Sequence, residues 1–144
     1  MPELLTVIHV IPERSDMVED EEIERMGMEI AMEYERAQGR MPEDVSNENL
    51  GFDIRSKGKS KGEIRYIEVK ARAKEGDVAL TPNEWFKAKR FKESYWLYVV
   101  ANVVMNPTLY IINNPAENLS VEEKIEVVRF LVPVDVWKGK GVKA

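Results

Sequence analysis

The order of apolar runs and turn signals predicts an α/β sandwich, a mixed sheet with helices on its faces. Three observations carry that expectation: a long amphipathic helix pattern, a strand pair around a Gly/Lys/Ser turn, and a capped helix followed by strands rich in Val, Ile and Tyr. A chain of 144 residues with 44% hydrophobic content is long enough for one compact core and too short for two.

Residues 4–11 read as a strand closed by Pro12. With a linker to residue 16, this segment is expected to be either an added strand or the tail of an upstream domain, ahead of a main domain over 17–137 and a flexible basic tail over 138–144. A helix follows over 19–38, stopped by Gly39. Its residues, about 100° apart, place Ile23, Met26, Gly27, Ile30, Ala31, Tyr34 and Ala37 on one apolar arc that Met28 widens. Glu22, Arg25, Glu29, Glu33 and Arg36 fall on the opposite side, where charge pairs three and four apart are ordinary helix surface. A polar loop holding Pro42 and Asn47 leads to a short strand over 51–56, a Lys/Gly/Ser turn, and an antiparallel partner over 63–72. A further short strand is expected over 77–80. Thr81 then starts a helix as N-cap, with Pro82 at its first position and Glu84 completing a capping box, and the helix runs to about Lys92. Strands follow over 95–104 and 109–112, then a helical turn over 120–123 and a last strand over 125–132.

Composition excludes several chemistries. Without cysteine there are no disulfides and no thiolate metal sites, and a single histidine, His9, leaves zinc without its usual ligands. Carboxylates alone favour hard cations such as magnesium, manganese or calcium. No apolar run reaches membrane-spanning length, and the N-terminus lacks a secretory pattern, so a cytoplasmic protein with no membrane partner is expected. A net charge of -5 argues against a general duplex-DNA binder coated in basic surface. Two local basic runs, Arg55, Lys57, Lys59 and Lys61 in the turn and Lys87, Lys89, Arg90 and Lys92 in the second helix, are able to meet a phosphate backbone; otherwise they are solvated surface.

In a strand, alternate residues share a face, so Ile64, Tyr66, Glu68 and Lys70 point one way. A polar pair that ends an apolar row suits a strand entering a cleft. On the partner strand, Phe52 and Ile54 are expected on one face and Gly51, Asp53 and Arg55 on the other, which lets Asp53 lie near Glu68 across the hairpin. Two carboxylates holding a divalent ion would neutralise a phosphate and activate a water. The Val69 carbonyl offers a third oxygen, and Lys70 would orient that water or stabilise developing charge. Glu-x-Lys alone is common in strands, where it forms a surface pair worth at most about 1 kcal/mol. Glu35 adds to the case, because it falls between Ala31 and Met28 on the apolar side, where an ionised group needs a partner or a metal unless its stem reaches solvent.

Gly27, the triplet Tyr34, Glu35, Arg36, the run from Gly51 to Ser56, the run from Tyr66 to Lys70 and the run from Leu80 to Trp85 together resemble the NO VEIN C-terminal domain family, a domain often attached to helicases. That family is similar to the PD-(D/E)XK superfamily, which includes Holliday-junction resolvases and Mrr-type restriction enzymes. The resemblance implies a restriction-endonuclease-like α-β-β-β-α-β core and a Mg2+- or Mn2+-dependent nuclease acting on nucleic acid, DNA in the first instance. It implies Asp53 and Glu68 as metal ligands, Lys70 as base or water-positioning group, and a helix carboxylate, matched to Glu35 through the Tyr-Glu-Arg triplet. Resolvase-like relatives carry that carboxylate nearer the start of the helix, where this chain has Met28 and Glu29. Asn83, Glu84 and Trp85 belong to the same family pattern, with capping accounting for Glu84 without any chemistry; Asn83 and Trp85, with Arg55, Lys57, Lys59 and Lys87, are the expected nucleic-acid contacts. A helicase partner and a homodimer are further implications. The alternative is a module that keeps the fold and binds nucleic acid or a helicase without chemistry.

Overall fold

The computed structural model of the chain describes residues 14–120 and 132–143. The strands expected over 4–11 and 125–132 and the helical turn over 120–123 lie wholly or almost wholly outside them. Among the described residues the elements run α1 (Arg14–Ala37), β1 (Met41–Asp44), β2 (Ile54–Lys57), β3 (Ile64–Ala71), α2 (Pro82–Phe91), β4 (Tyr95–Ala101), β5 (Thr108–Asn113), α3 (Pro115–Asn118) and α4 (Val134–Lys140). The strands form one mixed sheet in the order β1-β2-β3-β4-β5, antiparallel throughout except for the parallel β3–β4 pair that α2 connects. The α/β sandwich read from the sequence is the architecture found.

Helices cover both faces of the sheet. Ala31 of α1 packs on Ile54, Ile67 and Tyr98, with Met28, Met32 and Val69 around them. On the other face Ala88 of α2 packs with Phe52, Tyr95 and Val45, and the Tyr66 and Phe91 rings stack at 4.4 Å. Close approach of α1 to β3 depends on Gly27, because a β-carbon there would lie 2.5 Å from that of Ala71. The contact draws the first half of α1 down onto the end of β3, where Glu68 and Lys70 stand.

α1 stops as Gly39 predicts, in the left-handed conformation at φ 83°. The Gly39 N–H donates to the Arg36 carbonyl and the Arg40 N–H to the Glu35 carbonyl, the paired bonds of a Schellman motif. This turn folds Arg40 back over the last turn of the helix.

Two strand expectations are corrected. Residues 41–44, read as loop because of Pro42, form an edge strand, where a residue without an N–H is tolerated. Residues 77–80 are not a strand and pair with none of the five strands described. Val78 and Leu80 pack instead against Leu97, Ile112 and Leu119. β4 also ends at Ala101 rather than 104, where Asn102 turns left-handed at φ 53°. α4 runs into the segment read as a basic tail, and its side chains are exposed.

Candidate active-site cleft

β2 starts only at Ile54, and the loop before it breaks the alternation expected there. Gly51 sits at φ 86° against α2, a position where a β-carbon would meet the Lys87 side chain and the Asn83 carbonyl, and its own carbonyl accepts a 2.8 Å bond from the buried Tyr95 hydroxyl. As a result Phe52 faces α2 while Ile54 faces α1, so the two do not share a face. Asp53 enters the site between them. Its N–H donates to the Ile67 carbonyl, its carbonyl accepts from Val45, and its Oδ2 accepts from the Val69 N–H at 2.9 Å.

Glu68 follows Ile67 on β3, one residue from the Val69 amide that Asp53 holds. Its side chain is 4% exposed, and the Lys70 ammonium lies 3.3 Å from Glu68 Oε2. Lys70 Nζ donates at 2.8 Å to Glu84 Oε1, which also accepts from the Thr81 N–H as half of the α2 capping box. These groups line a cleft of about 690 Å³, together with Glu21, Glu24, Arg25 and Met28 of α1, Asp44 at the end of β1, Ser46 after it, Arg72, and Val78 with Ala79.

One ammonium serves several acids here. Burial raises the Glu68 carboxyl, which Lys70 lowers in part and Asp53 and Glu84 push back up, to about 10. Burial also raises Asp53, against the lowering bonds from Val69 and Glu68. Glu24 is raised by partial burial and then by the charge of Asp53, with Lys70 opposing. Lys70 stands above the ordinary lysine value: burial lowers it, but Glu68 and Glu84 raise it more. Crowded acids with too little positive charge are the electrostatic condition that a cation relieves. Among the described residues, no group of three or more Asp, Glu, His or Cys encloses an ion by itself. That is compatible with magnesium, which keeps waters and takes one or two carboxylates.

Asp53, Glu68, Val69 and Lys70 are thus brought together as the sequence predicts, and Glu35 is not among them. Glu35 is fully buried under α1, with Arg40 Nε at 2.6 Å, Arg40 Nη2 at 2.8 Å and the Tyr98 hydroxyl at 2.6 Å. Burial raises its carboxyl, but the bonds from Arg40 and Tyr98 outweigh it and leave the pKa low. Arg65 extends the network, donating to the Tyr98 hydroxyl at 2.9 Å and lying 3.7 Å over the Trp96 ring. The need for a partner read from the sequence is met by Arg40, five residues on.

Two carboxylates of α1 line the cleft, Glu21 and Glu24, neither of them expected there from the sequence; the one raised by burial and by the charge of Asp53 is Glu24. Eleven residues before Glu35, it sits about 20° round the helix from it and about 16 Å along the axis, so the same wheel that singled out Glu35 marks Glu24 too. Met28 lines the cleft as well; Glu29 is exposed on the outer face, 3.8 Å from Arg25. Glu84 was assigned to capping alone, yet it also holds Lys70. Of the expected nucleic-acid contacts, Asn83 is exposed in the first turn of α2, with Trp85 and Lys87 half-buried beside it. Lys57 and Lys59 lie at the hairpin turn, the opposite end from Asp53 and Lys70, and Arg55 pairs with Glu43 at 3.2 Å.

The family model described as Protein NO VEIN, C-terminal, matches residues 23–112. The chain belongs to this family. The matched stretch of this NO VEIN C-terminal domain runs from the first half of α1 to β5 and holds Glu24, Asp53, Glu68, Lys70 and Glu84. No curated protein and no solved structure gives a significant match. No described helix is long and apolar enough to cross a membrane.

Two outcomes are expected. A carboxyl whose pKa rises on folding keeps its proton in the native state and loses it on unfolding, so stability falls as pH climbs from its ordinary value to its raised one. Glu68 acts this way from its ordinary value of 4.5 up to about 10, and Asp53 acts in the same direction. The lowered Glu35 contributes stability that is lost only as pH falls below the ordinary carboxylate range, and Lys70 only above the lysine range, both outside that window. In chelator-treated buffer the melting temperature should therefore be higher at pH 5.5 than at pH 8.5, by about 5 °C, and Glu68→Gln should flatten the difference; a profile rising with pH would contradict this. Glu35→Ala leaves the Arg40 guanidinium without its buried partner and should cost about 3 kcal/mol in urea denaturation, the low end for a broken buried pair because Arg40 is partly exposed. A loss below about 1 kcal/mol would show the pair to be dispensable.

Proposed function

We propose that this domain is a Mg2+- or Mn2+-dependent nuclease that hydrolyses phosphodiester bonds in DNA. The reading is carried by one observation: two carboxylates on adjoining segments of a hairpin, the half-buried Asp53 and the buried Glu68, stand on the floor of an open cleft with a lysine ammonium 3.3 Å from one of them. The order α1-β1-β2-β3-α2-β4 supports placing the domain in the PD-(D/E)XK superfamily.

Asp53 and Glu68 would hold the cation, with the Val69 carbonyl beside them and Glu24 facing the site from α1. A bound divalent cation supplies charge neutralisation at the phosphate and lowers the pKa of water. The chain's own groups do the rest. Between the two roles open to Lys70, its raised pKa favours the donor over the base. Its ammonium keeps its protons at neutral pH, orients the attacking water and stabilises charge that develops on the phosphate oxygens. Asp53 Oδ2 is fixed by the Val69 amide, which leaves Oδ1 for the cation. Arg25 and Arg72, at the cleft wall, would meet phosphates on either side of the scissile one.

A second reading, a nucleic-acid-binding or helicase-associated module without catalysis, draws on the lack of a three-carboxylate cage among the described residues. One experiment separates them. Single-stranded, duplex and branched DNA are incubated with Mg2+ or Mn2+, using wild type, Asp53→Asn, Glu68→Gln and Lys70→Ala. Cleavage by wild type, reduced about 100-fold or more in each variant, is expected. Cleavage that survives Lys70→Ala unchanged would remove this cleft from the reaction, and binding without cleavage would favour the second reading.

A further inference from the structure

We propose that Glu84 is a positioning residue: it fixes the place of the Lys70 ammonium and ties it to the first turn of α2. The inference rests on the reading of the cleft as a phosphodiester-cleaving site and names a part of it that capping alone does not require.

A capping box needs only that Glu84 accept a bond from the Thr81 N–H, which it does at 2.9 Å. The same atom, Oε1, also accepts from Lys70 Nζ at 2.8 Å, shorter than the 3.3 Å to Glu68 Oε2. Lysine carries its charge on a flexible four-carbon stem, and holding it in one place costs rotamer entropy unless a partner is already fixed. Glu84 is such a partner. Its side chain is 16% exposed, set by the Thr81 amide, and sits in the first turn of a helix, where a negative charge is favoured. Without it, the ammonium is left between Glu68, Asp53 and solvent, all reachable from the end of β3.

The geometry also sets a direction of coupling. Anything that shifts the first turn of α2, including contact with the exposed Asn83, moves the acceptor on which Lys70 rests. The lysine is thus positioned from a different element than the one that carries it.

The test compares Glu84→Ala, Glu84→Gln and Thr81→Ala with wild type. Glutamine keeps an Oε1 that accepts both bonds; Thr81→Ala weakens the cap but leaves Glu84 beside Lys70. In the Mn2+-dependent cleavage assay, Glu84→Ala should lower kcat about 100-fold with KM changed by no more than about threefold, the cost of misplacing a catalytic group. Glu84→Gln should recover all but about fivefold, and Thr81→Ala should lower the melting temperature as much as Glu84→Ala does while keeping kcat. Equal kcat in Glu84→Ala and Thr81→Ala, or no recovery with glutamine, would overturn the proposal. A second readout does not depend on activity: the Lys70 ammonium signal in 1H–15N spectra of 15N-lysine-labelled protein. It should be protected from exchange in wild type, Glu84→Gln and Thr81→Ala and lost in Glu84→Ala. Its persistence in Glu84→Ala would overturn positioning by Glu84 even if the wild type cleaves nothing, whereas its loss in a protein that cleaves nothing would uphold the positioning and reject the nuclease reading alone.

Discussion

Asp53 closes the end of the β2–β3 ladder twice, once through its amide to Ile67 and once through its carboxylate to the amide of Val69. A side chain thereby does the work of a backbone acceptor at the point where the strands part. Everything in the cleft depends on that substitution. It puts an acid beside the backbone of Glu68 and Val69, draws β1 in through the Val45 bond, and leaves a second carboxylate oxygen facing the open side. Burying Glu68 next to it then creates an electrostatic debt that one ammonium, itself divided between Glu68 and Glu84, does not settle.

The same helix presents two acids on nearly one line, and their fates differ for local reasons. Glu35 lies in the last turn of α1, where the Schellman motif returns Arg40 over it and Tyr98 rises from β4 to meet it. In many such motifs that return is packed by an apolar contact; here it is an ion pair, buried and fully bonded. Glu24 lies three turns earlier, beyond the Gly27–Ala71 contact, where α1 overhangs the open end of β3 rather than its packed middle. Closeness at Gly27 is what brings that overhang within reach of Asp53 and Lys70.

Much of this is legible in the sequence. Alternation along β3 placed Glu68 and Lys70 together on the face of Tyr66, and the Thr81-Pro82-Glu84 signature marked the start of α2. The misses have physical sources. Alternation was extended through residues 51–53, where Gly51 is left-handed and the chain is not yet a strand, so Phe52 was put on the wrong side of the sheet. Pro42 hides an edge strand, and 77–80 resembles a strand because a local apolar pattern does not distinguish ladder pairing from packing of Val78 and Leu80 on Leu97, Ile112 and Leu119. Glu35 was read correctly as an acid in need of a partner, but the choice between a metal and an arginine five residues away depends on how the helix ends. Glu84 carried two bonds on one oxygen, and only one of them leaves a mark in sequence spacing.

On the reading proposed above, the Asp53–Glu68 floor is a cation site and Glu35 is not. A crystal soaked in manganese, examined by anomalous diffraction, tests it directly. The account predicts one strong peak in the cleft touching Asp53 and Glu68, with Arg40 still bound to Glu35. A soaked crystal with no peak in the cleft, or with its peak at Glu35, would contradict it.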